Sequence, residues 1–128
     1  MTKKIIETDK SPAAIGSYSQ AVYAGNLLFV SGQIPLVAET MEIISEDFSQ
    51  QATLCFENLK AICEEANATL DDIVKLNISM TNLANFATVN EVMASFFNKP
   101  YPARAAVGVA ALPKDVQIEI EAIVVIKS

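Results

Sequence analysis

Residues 101–127, YPARAAVGVAALPKDVQIEIEAIVVIK, hold the only arginine of the chain, Arg104, and two glutamates, Glu119 and Glu121, among apolar strand formers. A guanidinium stays charged at any ordinary pH, and its planar fork matches a carboxylate with two parallel hydrogen bonds. Ala103, Ala105, Ala106 and Gly108 are small enough to leave room for a ligand beside it. A carboxylate can accept a proton in one step and return it in the next. Arg104 and Glu119 are therefore suited to gripping a small carboxylic acid and moving a proton on it. Plainer readings stand beside this one. An arginine can lay its stem along a strand end or pair with an acid, and glutamates can face water from an edge strand. A glutamate close to Arg104 would have its pKa lowered and a buried one would have it raised; the residue pattern leaves both open.

The rest of the composition narrows the chemistry. Histidine is absent, which removes the commonest general base, the Ser-His and Cys-His nucleophile arrangements and most zinc sites. Cys55 and Cys63 are eight residues apart in a stretch with helical periodicity, about 12 Å along a helix and too far for a disulfide. Two helical cysteines without another soft ligand do not make a metal site. The formal net charge is −6, and the eight lysines are scattered, so no basic stripe for phosphates is evident and nucleic acid is not an expected partner. The apolar run from Gly16 to Ala38 is broken by Pro35, two glycines and several amides, which argues against a membrane span. The N-terminal MTKKIIETDK has no apolar core of the signal-peptide kind, so a cytoplasmic location is expected. Tyr18, Ser31 and Asn90 read from periodicity alone as a core tyrosine, a turn serine and a solvated helix residue.

The elements that must position these groups are legible as periods. A length of 128 residues with 52% hydrophobic residues fits one domain over 1–128. Such richness implies either a large core or apolar surface covered by partner subunits, and the second is favoured here. KKIIE (3–7) can start a sheet; AVYAGNLLFVSG reads as a hairpin turning at Gly25-Asn26. From Asp47 onward Phe48, Ala52, Cys55, Phe56, Leu59, Ile62 and Cys63 recur at helical spacing, with Ser45, Glu46 and Asp47 at the N-terminal end. Val74, Leu76, Ile78 and Met80 alternate as a half-buried strand. Residues 82–99 return to helical spacing through Phe86, Val89, Met93, Phe96 and Phe97 until Pro100 and Pro102 stop it. The last segment reads as two strands joined by a short turn. Its second strand is apolar on both faces beyond Ala122, which predicts a central position or a second face covered by another subunit. The sum is an α+β layer, a mixed sheet with two helices packed on one face.

Four blocks in order, AAIGSYSQAV (13–22), FVSGQIP (29–35), FATVNEV (86–92) and YPARAAVGVAALPKDVQIEIEAI (101–123), closely resemble the RidA/YjgF family, and the likeness spans essentially the whole chain. The resemblance implies a chorismate mutase-like α+β fold and a homotrimer with a central β-barrel, its clefts lying between subunits. It implies an enamine/imine deaminase acting, without a cofactor, on intermediates released by pyridoxal-phosphate enzymes. The ligand would be a small imino or 2-oxo acid. By position, Arg104 matches the family arginine that binds substrate carboxylate and Glu119 the glutamate that positions and activates water. Tyr18, Ser31, Gly32 and Asn90 match other residues of the cleft. Ala106 stands where many members have cysteine, so any role for that thiol is absent here while its backbone could still meet ligand. Ser17 replaces a frequent proline.

Overall fold

Alternating branched and polar residues form a six-stranded sheet in the computed structural model, which describes residues 3–127. Residues 1, 2 and 128 of the expected 1–128 unit lie outside the described residues. In chain order the elements are β1 (Ile5–Ile6), β2 (Ala21–Ala24), β3 (Leu27–Gln33), α1 (Phe48–Glu65), β4 (Ile73–Met80), α2 (Phe86–Phe96), β5 (Ala103–Gly108) and β6 (Ile118–Val125). The sheet runs β1-β2-β3-β6-β4-β5. It is mixed, as expected: β4 and β5 are parallel, and every other neighbouring pair is antiparallel. Two parallel strands need a crossover, and α2 supplies it.

β6 is central, between β3 and β4, as its doubly apolar end predicts. The two C-terminal strands are not neighbours, however. They read as a pair joined by a turn, yet β4 lies between them. Because β5 runs parallel to β4 at the sheet edge, the chain must pass over β4 before β6 can run antiparallel to it. Turn residues report a reversal of direction; they carry no information on which strand is met next. The β2–β3 hairpin does turn where expected, with Gly25 at φ +61° in a two-residue loop between Ala24 and Leu27.

One face of the sheet is dry. Leu28, Val30, Leu76, Ile78, Met80, Ile118, Ile120, Ala122 and Val124 are all buried, and α1 packs over β6 and β3 with α2 beside it. The Asp47 side chain caps α1 by accepting from the Gln50 N–H. Two buried amides of α1 then tie loops down. Gln51 Nε2 donates to the Ser45 carbonyl at 2.8 Å while its Oε1 accepts from Gln117 N at 2.9 Å, and Asn58 Nδ2 lies 3.3 Å from the carbonyls of Ile34 and Leu36. The other face of the sheet is open in the single chain and carries Phe29, Val74 and Val107, all exposed. No helix among the described residues is long and apolar enough to cross a membrane.

Candidate functional site

Tyr18, Ser31, Gly32 and Glu119 line one cleft of about 600 Å³, together with Glu121, Lys114 and an apolar wall that includes Leu36 and Met41. The loop carrying Tyr18 is held by the buried Gln20. Its Oε1 accepts from Thr8 N at 2.7 Å, and its Nε2 donates to the carbonyls of Thr8 (3.0 Å) and Pro12 (2.8 Å) and to Ser11 Oγ (3.0 Å). Satisfying every polar atom of a buried amide makes such a clamp rigid. Gly16, at φ +132°, turns the loop through a conformation that side chains disfavour, and the Tyr18 hydroxyl accepts from Ile15 N at 3.4 Å. Ser31 Oγ donates to the Ser19 carbonyl at 2.6 Å. Its proton is thus committed to the loop, which leaves the oxygen to act as an acceptor.

Gly32 is required by space. A Cβ at that position would lie 2.8 Å from Glu119 Cδ and 3.1 Å from Cγ, so the carboxyl group occupies the volume that a side chain would fill. Pairing of β3 with β6 shifts register between Val30 and Gln33, which brings Gly32 against Glu119. Burial pushes the Glu119 carboxyl above its ordinary pKa, and the negative charge of Glu121 pushes it further. Glu121 is itself fixed, its Oε1 accepting from Asn77 Nδ2 at 3.0 Å.

Arg104 lies elsewhere, in a second cleft of about 540 Å³ lined by Asn90, Met93, Ala94, Tyr101 and Pro102. Its Nη1 donates to Asn90 Oδ1 at 2.6 Å and approaches Met93 Sδ at 3.4 Å, and its Cζ is 5.0 Å from the centroid of the Phe86 ring. Asn90 therefore contacts the arginine rather than standing solvated alone. Among the described residues the one ion pair is Lys127–Asp72, so the Arg104 charge has no carboxylate partner. Ala106 is half-buried and packs against the core two residues further along β5; it does not line the arginine's cleft.

The two clefts are separated by the sheet. Arg104 pairs in register with Leu76, and Leu76 with Ala122, all on the helix-covered face. Glu119 pairs with Ser79, three residues from Leu76, and so projects from the opposite face. One chain cannot bring Arg104 and Glu119 to the same small molecule. The arrangement is two separate clefts, one holding a cation without an acidic partner and one holding a carboxyl group with a raised pKa. Among the described residues no group of three or more His, Cys, Asp or Glu side chains is placed to hold a metal ion.

Sequence reasoning missed Lys114 and Met41 in the first cleft, Met93 and Tyr101 in the second, and Phe86, whose ring lies against Arg104. Phe86 and Met93 belong to an apolar helical stripe, so periodicity assigned them to the core. Lys114, at φ 56°, and Asp115, at φ 58°, are both left-handed, a backbone state that no residue type announces.

The family model described as Endoribonuclease L-PSP matches residues 8–126. A 2-iminobutanoate/2-iminopropanoate deaminase of Dermatophagoides farinae is 46% identical, with 98% of each chain covered. The crystal structure of RidA from an Antarctic Psychrobacter is 54% identical at a TM-score of 0.93, covering 96% of this chain and 99% of that one. The structure of Escherichia coli TdcF with bound serine is 49% identical at a TM-score of 0.92, covering 98% and 100%.

Proposed function

The chain belongs to the RidA/YjgF family, described as Endoribonuclease L-PSP, and from that premise we propose that it hydrolyses the imines of small 2-oxo acids. The substrates are 2-aminoacrylate/2-iminopropanoate and 2-aminocrotonate/2-iminobutanoate, and the products are pyruvate or 2-oxobutanoate with ammonia. The observation that carries the reading is the pair of half-sites on opposite faces of the sheet. An arginine without a counter-ion awaits a carboxylate, and a half-buried glutamate with a raised pKa awaits a proton. The serine named with the TdcF structure has the carboxylate that such an arginine would grip.

In this mechanism Arg104 fixes the substrate carboxylate, which turns a collision with water into an oriented step. Glu119 takes a proton from water as its oxygen bonds to the imine carbon. It returns that proton to nitrogen to give the neutral carbinolamine, then takes the hydroxyl proton and passes it to the same nitrogen as the C–N bond breaks, so that the ketone and ammonia leave and the carboxylate is restored. A carboxylate whose pKa is raised is the stronger base in the first step and, once protonated, can donate in the second. Ser31, with its proton committed to Ser19, accepts from the imine N–H. The Arg104 half-site of one subunit meets the Glu119 half-site of the next in a homotrimer, the open sheet face with Phe29 and Val107 being covered in the process.

The test is complementation between inactive subunits. A pyridoxal-phosphate dehydratase generates the imine from serine or threonine, and ammonia release is followed. Arg104→Ala and Glu119→Gln each lose the acceleration when pure. Unfolded together and refolded as a one-to-one mixture, they recover activity, because in a ring of heterologous interfaces roughly a quarter of the sites receive one intact half from each parent. No recovery in mixed oligomers overturns the shared-site reading. Saturable binding of 2-oxobutanoate without turnover by the unmodified protein would make the chain a carboxylate-binding module instead.

A further inference from the structure

Phe86 is an aromatic residue that the core does not use. It opens α2 with its side chain exposed, whereas Val89, Val92 and Met93 of the same helix are buried. Its ring lies 5.0 Å from Arg104 Cζ, within the range at which an aromatic face attracts a guanidinium. Phe86, Asn90 and Met93 follow one another at four- and three-residue steps and so form one stripe on the helix. That stripe meets Arg104 with a ring, an amide oxygen and a thioether, and none of the three is charged.

Both short contacts from Asn90 and Met93 fall on one atom, Nη1. A group anchored at a single nitrogen is placed but free to swing about that anchor. A bidentate grip on a carboxylate needs the plane of the fork to be set as well. We infer that Phe86 is a positioning residue that sets the orientation of the Arg104 guanidinium for the substrate carboxylate, through the face of its ring. This rests on the proposed role of Arg104 and deepens it. The uncharged stripe has a second consequence: it orients the cation without neutralising it, which a carboxylate in the same place would do.

The carboxylate does not take part in bond making, so it is held equally before and during the reaction. Loss of orientation therefore appears in KM and leaves kcat nearly unchanged. Three variants of the full chain separate the outcomes: Phe86→Leu removes the ring and keeps apolar bulk, Phe86→Tyr keeps the ring, and Arg104→Ala removes the cation. The readouts are KM and kcat in the dehydratase-coupled assay, the Kd of 2-oxobutanoate by calorimetry, thermal midpoint and oligomeric mass. Phe86→Leu is expected to raise KM and Kd by about two- to fivefold, the worth of an exposed cation–π contact, with midpoint and mass unchanged. Phe86→Tyr is expected to match the unmodified protein. Equal KM for Phe86→Leu and the unmodified protein overturns the inference, as does a loss in Phe86→Leu that Tyr fails to restore. If Arg104→Ala binds 2-oxobutanoate with an unchanged Kd, the site reading itself falls, whatever Phe86 does.

Discussion

Replacing Gly32 with alanine tests whether the placement of Glu119 matters for catalysis independently of its charge. Non-bonded carbon atoms settle about 3.5–4 Å apart, and a Cβ on residue 32 would find Glu119 Cδ at 2.8 Å. The carboxyl group must therefore retreat by on the order of 1 Å. What yields is the far end of a flexible side chain, so the strand need not move. Gly32 is also absent from the positive-φ glycines Gly16 and Gly25, so alanine meets no backbone penalty there. A displacement of that size in a reacting group costs about a hundredfold in rate. The expected result is a kcat lowered by about that factor with the thermal midpoint and oligomeric mass retained, measured by ammonia release with the coupled dehydratase. A kcat within about threefold of the unmodified protein, small beside the expected loss, would refute the reasoning, since the carboxylate would then work from a displaced position.

Glu119→Gln should separate stability from activity as pH changes. The folded-state pKa of Glu119 is raised by burial and by Glu121, so the protonated form is the one the fold favours. Its contribution is fully present below the unfolded carboxylate pKa of about 4.3 and is lost as pH rises through the raised folded value. The glutamine variant is thus expected to melt higher than the parent at pH 7 and to converge with it near pH 4, while remaining inactive throughout; a lower midpoint at pH 7 would contradict the burial cost. In the parent, kcat is expected to fall on acidification through that same raised pKa, read from a pH–rate profile. Asn90→Asp places a carboxylate where the amide oxygen now sits 2.6 Å from Arg104 Nη1. The new pair should raise KM by roughly fivefold, the upper end for an exposed ion pair, and added salt should shrink the effect.

The residue pattern located most elements because burial imposes a period, and α1, β4 and β6 are strongly one-sided. Residues apolar on both faces beyond Ala122 gave β6 either a central position or a second face covered by another subunit, and the first of these is what the sheet order shows. The residue pattern did not show that β4 separates β5 from β6, since strand adjacency is decided by packing between distant segments. For the site, the unusual charges Arg104 and Glu119 stood out against apolar strand. Their positions on opposite faces follow from register, which sequence spacing across two strands does not specify. Phe86 was hidden by its own periodicity: a ring that serves a cation has the same spacing as one that serves the core. The left-handed Lys114 had no signal at all.

The two thiols described at the outset as unable to pair acquire a different meaning beside the proposed chemistry. The carbon of an imine is electrophilic, and a catalyst that hydrolysed one would meet it at every turnover. Only the thiolate attacks such a compound at an appreciable rate. Cys55 is sealed beneath β6, its pKa pushed well up by burial and then by the charge of Glu119, and that of Cys63 is pushed up to about 12 by burial, Asp72 and Glu64. With alanine at position 106 and both cysteines buried, the chain presents no exposed thiol to the imine it is proposed to hydrolyse.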